Sequence, residues 1–277
     1  MLQKFFKYHG AGNDFLLADN RDGLLSLSAA QISHLCDRHT GFGADGVMLL
    51  EKSESRDFRM QFFNPDGSSG MMCGNGGRCI VAFAADLGVV SGNFPVVFEA
   101  PDGVHTAVIQ SAAKDLSYTI RLNMSDVKGV EHFPQEKSCF LDTGTRHLVK
   151  FVVDLHSLDV DKEGWTLRHD PRFAPQGTNV DFVQVVGHEL HVRTFEKGVE
   201  AETLACGTGV VASAIAACSC GFSGETGTAG VVKYSVKTAL STMEVEFLPE
   251  GEGDSLEASQ VWLTGPTTFV GTIECLL

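Results

Sequence analysis

The residues with the clearest chemical potential are two cysteines in matching surroundings. Cys73 stands in "CGNGGRCIVAFAADLG" and Cys206 in "CGTGVVASAIAACSCG", and each is followed by glycines, then by small and apolar residues, then by a closing glycine. That order predicts a helix that starts at the cysteine and stops at Gly88 or Gly221. A thiol at a helix start meets backbone N–H groups that lack intrahelical partners and the positive end of the helix dipole, both of which favour the thiolate. The glycines let the backbone approach a ligand closely, so the same N–H groups can hold a carboxylate. Two such sites acting on one amino acid would grip its carboxylate and set a sulfur on each face of the adjacent carbon. One thiolate would remove the α-proton, the other thiol would return a proton to the opposite face, and the stereocentre would invert. Charge developing on the carboxylate would be stabilised by the amides, at about 2.7 to 4 kcal/mol per donor. That chemistry calls for no cofactor and no metal.

The elements that must hold these cysteines are short. Alternating or β-branched runs occur at "VMLLE" from 47, "FRMQFF" from 58, "VHTAVIQ" from 104, "YTIRLNM" from 118, "HLVKFVV" from 147, "DFVQVV" from 181, "ELHVRTFE" from 189, "MEVEFL" from 243 and "VWLTG" from 261. Strands joined by glycine- and aspartate-rich turns predict mostly antiparallel sheets. One further helix is predicted from an N-cap at Ser28 to His39, stopping at Gly41. The two cysteine-led helices lack a polar face and should be buried. The cysteines lie about half the chain length apart, each after a strand and an asparagine (Asn64, Asn179), which predicts an internal repeat. The expected fold is α+β: two pseudo-symmetric domains, each a curled, mostly antiparallel sheet around a central buried helix, with the active site in the cleft between them.

The chain has 277 residues, is 43% hydrophobic and 20% charged, and carries a formal net charge of -14. The acidic balance argues against nucleic acid or an anionic membrane and for a small-molecule partner. The N-terminal stretch "MLQKFFKYHGAGNDFLL" has no apolar core of signal-peptide length, so a cytoplasmic protein is expected. The eight cysteines are then expected as free thiols; their spacings include no CxxC pair, so no metal site is expected. Cys36, Cys79, Cys139, Cys218, Cys220 and Cys275 read as packing residues. "CGNGG" is neither GxGxxG nor a P-loop, which sets nucleotide binding aside. A non-catalytic amino-acid sensor would have no use for the paired thiols.

The segments "HGAGNDF", "RHTGFGADG", "FFNPDGS", "MCGNGGRC", "GTNVDFVQV" and "AETLACGTG", in this order, resemble the signature segments of the diaminopimelate epimerases. Proline racemases share the paired-cysteine logic, but typically carry His where this chain has Asn75. The resemblance implies conversion of LL-diaminopimelate to the meso form, for lysine and peptidoglycan synthesis, without pyridoxal phosphate or metal. It implies a first domain of residues 1–117 that recovers a C-terminal strand over 265–277, a second over 118–264, and a homodimer. It also implies that Cys73 and Cys206 are the acid–base pair and that Gly74, Asn75, Gly207 and Thr208 hold the reacting carboxylate. Asn13, Asn64, Asn179 and Glu196 match substrate-binding positions, and His147 a histidine near the thiols.

Four departures cluster around the substrate. Gly46 stands where the family has Gln, Thr145 and Arg146 where it has Asn and Pro, and Lys197 where an arginine grips the distal carboxylate; "GVEAET" before Cys206 is one residue long. Lysine replaces a planar, bidentate donor with a flexible point charge, which implies looser selection of the distal end. A racemase of the same chemistry acting on another substrate, such as glutamate, is the alternative.

Overall fold

The computed structural model describes residues 2–92, 94–113 and 117–277. The chain divides into two compact units, Met1–Leu122 with Gly265–Leu277, and Asn123–Thr264. The division falls a few residues beyond the expected Ser117, because strand Ser117–Asn123 pairs antiparallel with both Gly103–Ala112 and Gly265–Thr268.

In the first unit, strand Leu2–Gly10 pairs antiparallel with Asn13–Asp19, which runs parallel to Val47–Glu51. Val47–Glu51 is antiparallel to Phe58–Phe63, which is parallel to Val96–Ala100. Val96–Ala100 continues antiparallel into Gly103–Ala112. The C-terminal strand Glu257–Leu276 closes the ring by pairing with Ser117–Asn123 on one side and Leu2–Gly10 on the other. Parallel neighbours need a crossover connection, and helices supply it. Helix α1 (Ala29–Cys36) bridges the first parallel pair and α2 (Gly74–Asp86) the second.

The second unit repeats this order of junctions. Ser138–Asp142 is antiparallel to Arg146–Phe151, which is parallel to Asn179–Val186, with α3 (Val160–Arg168) as the crossover. Asn179–Val186 is antiparallel to Glu189–Glu196, which is parallel to Val232–Lys237, with α4 (Gly207–Ser219) between them. Val232–Lys237, Thr242–Glu250 and the first part of Glu257–Leu276 then follow in antiparallel succession.

Sequence dictates where the helices go. In α2 the run from Gly74 to Ala84 is buried throughout, and in α4 only Thr208, Cys218 and Ser219 escape full burial. Val210, Val211 and Ile215 are essentially inaccessible, and each contributes about 1.5–3 kcal/mol by leaving water. α2 packs on Leu2–Gly10, Asn13–Asp19, Val47–Glu51 and Gly103–Ala112, which places it inside its ring of strands. Both helices end as read from the sequence, with Gly88 and Gly221 in the left-handed region at φ +69° and +79°. α1 begins at the expected N-cap: Ser28 and Gln31 form a reciprocal capping box. It stops at Cys36, three residues short of the predicted end, because Asp37 turns extended and its carboxylate accepts from the N–H groups of His39 and Thr40.

All eight cysteines are free thiols. The packing assignment fails for Cys220, which is exposed, and weakens for Cys218 and Cys275, which are partly so; Cys220 follows the end of α4, Cys218 lies in its last turn and Cys275 at the end of the C-terminal strand. Burial pushes the Cys36 thiol from 9.0 up to about 11 and also raises Cys79 and Cys206. In the unfolded chain these thiols ionise near pH 9, whereas the folded chain holds their protons. The folded state therefore binds more protons above pH 9, and stability falls as pH rises, by up to about 1.4 kcal/mol per unit for each thiol. Urea unfolding under reducing conditions should lose on the order of 3 kcal/mol between about pH 8 and about pH 10; a flat profile would contradict this.

Candidate active site

The first half-site forms at the start of α2. Cys73 is the N-cap, extended at φ -117° and ψ 155°, and its Sγ accepts the N–H of Gly76 at 3.2 Å. Arg78, one turn on, is fully buried; it donates to the Gly74 carbonyl at 3.0 Å and to Asn75 Oδ1 at 2.7 Å. Burial pulls this guanidinium down to about 10 from 12.5, while the charges of Cys79 and Cys73 oppose that shift. The Arg78 charge acts on Cys73 through space, and together with the helix dipole it favours the thiolate. Asn75 Nδ2 donates to Asn13 Oδ1 at 3.3 Å, and Asn13 Nδ2 donates to Asp45 Oδ2 at 2.6 Å. Asn13, Asn75 and the Gly74 carbonyl are thus tied into one array through Arg78. Asn64 sits apart in the turn after Phe58–Phe63, donating to Ser68 Oγ at 3.0 Å.

The second half-site lies at the start of α4. Cys206 is the N-cap and 6% exposed. Burial, then the carboxylates of Glu196 and Asp181, push its thiol well up, against the Thr208 hydroxyl and the Gly209 N–H. Its Sγ is 3.3 Å from Thr208 Oγ1, which is 3.0 Å from His147 Nε2. Thr145 Oγ1 joins both, at 2.9 Å from the imidazole and 3.0 Å from Thr208 Oγ1. Behind them His147 Nδ1 meets Asp181 Oδ2 at 2.6 Å, with both side chains wholly buried. Thr194 Oγ1 donates to Asp181 Oδ1 at 2.6 Å. Asn179 Oδ1 accepts the Lys197 N–H at 2.8 Å, and Glu196 accepts from Thr203 Oγ1 at 3.0 Å.

Three residues escaped the sequence reading: Arg78, Asp181 and Thr194. The signals were present. Arg78 is the one charge in the otherwise apolar α2 core, and Asp181 falls two residues after Asn179, on the same strand face. A charge on a buried face is retained only when paired or hydrogen-bonded.

The departures also find places. Thr145 bonds His147 and Thr208, as above. The Arg146 guanidinium donates to the Phe173 carbonyl at 3.1 Å and to Gln176 Oε1 at 3.2 Å. Lys197 is exposed, and its ammonium donates to the Gln176 carbonyl at 3.1 Å. The longer segment before Cys206 is taken up by a turn with Gly198 at φ +94° and Glu200 at φ +59°. At Gly46 an added Cβ would lie 2.4 Å from the Phe62 ring and 2.8 Å from the Phe63 carbonyl. Gly46→Gln should therefore cost about 1–3 kcal/mol by overpacking, read as a lower urea midpoint; an unchanged midpoint would show that Phe62 yields freely.

This fold has solved counterparts. A phenazine biosynthesis protein of the PhzF family from Bacillus anthracis superposes with a TM-score of 0.76 at 15% identity, covering 100% of both chains. A hydroxyproline epimerase from Agrobacterium vitis gives 0.69 at 15% identity, covering 100% of this chain and 93% of the other. At such identities the likeness establishes a shared fold, the one common to these epimerase and PhzF proteins. Sequence carries the assignment further. The profile of the diaminopimelate epimerase family matches residues 5–128 and 139–253. The diaminopimelate epimerase of Chlorobaculum tepidum is 40% identical over 270 residues, covering 95% of this chain and 98% of that protein. The chain belongs to the diaminopimelate epimerase family.

Proposed function

We propose that this protein converts LL-diaminopimelate to the meso isomer by passing the α-proton between Cys73 and Cys206. In this reading the two units are pseudo-symmetric domains that each supply one thiol to a single substrate. The observation that carries it is the contrast between two otherwise matching helix starts. Cys73 feels the buried charge of Arg78, whereas Cys206 is buried near the carboxylates of Glu196 and Asp181. In this reading the Arg78 charge makes Cys73 the easier of the two to ionise, so Cys73 accepts a proton while the buried Cys206 thiol gives one. The C–H bond breaks as S–H forms at Cys73; the Cys206 S–H breaks as C–H forms on the opposite face. The first-turn amides at Gly74, Asn75, Gly207 and Thr208 would hold the carboxylate and take the charge of the carbanion-like state. Asn13, Asn64, Asn179, Glu196 and Lys197 would orient the remainder of the substrate.

A second reading, broader selection at the distal end, is favoured by Lys197, whose ammonium already serves a backbone carbonyl. Turnover and α-proton exchange in D2O, measured side by side for LL-diaminopimelate and glutamate, decide between them. Exchange confined to diaminopimelate removes the broader reading. Exchange of glutamate alone removes the primary one.

A further inference from the structure

In the second unit, an imidazole and two thiols that the proposed reaction does not use meet at one point. Strand Glu131–Phe133 pairs antiparallel with Ser138–Asp142 in a register that sets His132 directly opposite Cys139. Residues so paired present their side chains on one face of the hairpin. The third group comes from α4: Cys220 is its C-cap, and the Cys220 Sγ lies 3.4 Å from that of Cys139. The donor atoms of His132, Cys139 and Cys220 all lie within 4.8 Å of one another. Cys139 is buried, His132 partly so, and Cys220 exposed, so the cluster has a rigid floor and an open side. His132 Nε2 is 3.1 Å from Ser219 Oγ, next to Cys220, while Nδ1 faces away, 3.8 Å from Asp254 Oδ1.

We propose that His132, Cys139 and Cys220 bind one thiophilic divalent cation, with zinc(II) as the best match. Two thiolates and an imidazole are a donor set that tetrahedral zinc takes, with a fourth position left for water. Zinc–sulfur bonds of about 2.3 Å in a tetrahedron separate two sulfurs by about 3.8 Å. The pair at 3.4 Å has only to open slightly, and exposed Cys220 has room to move. The thiols lose their protons on binding, and the ring takes the tautomer that binds metal through Nε2 and carries its proton on Nδ1. The negative end of the α4 dipole adds attraction for a cation. The site lies at the far end of α4 from Cys206, roughly 20 Å along a 13-residue helix. A bound ion would clip the 131–142 hairpin to the helix that starts at the catalytic thiol. Nothing in this assignment depends on the epimerisation reading.

The test is titration of the reduced, metal-free full-length protein with cobalt(II), followed by displacement with zinc(II). One equivalent should produce a thiolate-to-cobalt charge-transfer band and strong visible bands of a tetrahedral ion. The bands should persist in the Cys73→Ser/Cys206→Ser double variant. Cys220→Ser, at an exposed position, should abolish the charge-transfer band or weaken binding at least tenfold, and His132→Gln should also weaken it. Bands that survive Cys220→Ser but vanish in the double variant would place the metal on the catalytic thiols and overturn the proposal. So would a reduced protein that shows no bands, or one in which Cys218→Ser has the effect expected of Cys220→Ser.

Discussion

Cys206→Ala is expected to lower kcat for epimerisation by on the order of 10² to 10⁴, the range that a positioned acid or base supplies. Cys73→Ala should do the same, and the double variant should lose little more, because the two thiols act as a unit. The informative measurement is the comparison of inversion with exchange. A protein that keeps Cys73 alone can still remove and return the α-hydrogen on one face, so one isomer should take up deuterium from D2O without changing hand. Inversion should fall much further than exchange, which no general loss of folding would produce. Cys218→Ser, on α4 but beyond its buried run, serves as the control and should leave turnover near the native value. Near-native turnover in either alanine variant would sink the two-thiol mechanism.

The second large effect is expected at Asp181. Its carboxylate is wholly buried, accepts from Thr194 and pairs with His147 at 2.6 Å each. Asp181→Ala leaves a buried imidazole and a hydroxyl without their acceptor, and each buried group left so costs about 1–3 kcal/mol. Asp181→Asn separates stability from chemistry. Its Oδ1 can still accept from Thr194, which turns the amide N–H towards His147 Nδ1 and forces the imidazole proton onto Nε2. Thr208, between His147 and Cys206, then faces a donor where the native ring can offer an acceptor. The Asn variant should recover much of the unfolding free energy but little of kcat, with KM less affected. Full recovery of kcat by Asn would reduce the pair to a packing role.

Much of this was legible because it is local. A cysteine followed by glycines and apolar residues meets the requirements of an N-cap and a buried helix within a few residues. The strands "VMLLE", "FRMQFF" and "ELHVRTFE" appear with the extents read from their patterns. Helix α3 was missed because only Val160 and Gly164 of its residues are buried, too few for an apolar stripe to show. The strands Leu2–Gly10 and Asn13–Asp19 carry no clear alternation in the sequence, because the glycines and asparagine of "HGAGNDF" interrupt the pattern at the turn that joins them. Cysteine spacing along the chain does not bring His132, Cys139 and Cys220 together, since a cross-strand register meeting a helix end joins them only in the fold.

By itself, then, the sequence determined the two helix starts, the small and apolar bodies that must be buried, the glycines that bare the amides and the family these segments mark. Those properties follow from neighbours a few positions apart, where capping, periodicity and backbone freedom act. Only the tertiary structure decided the electrostatic character of each thiol. Arg78 reaches back to the turn around Cys73 because α2 is enclosed by strands, and Asp181 and Glu196 come near Cys206 because two other strands carry them there. A thiol's ionisation depends on burial and on charges within a few ångströms; Arg78 is a near neighbour of Cys73 in the chain, but its burial and the charges around Cys206 come from strands distant in sequence.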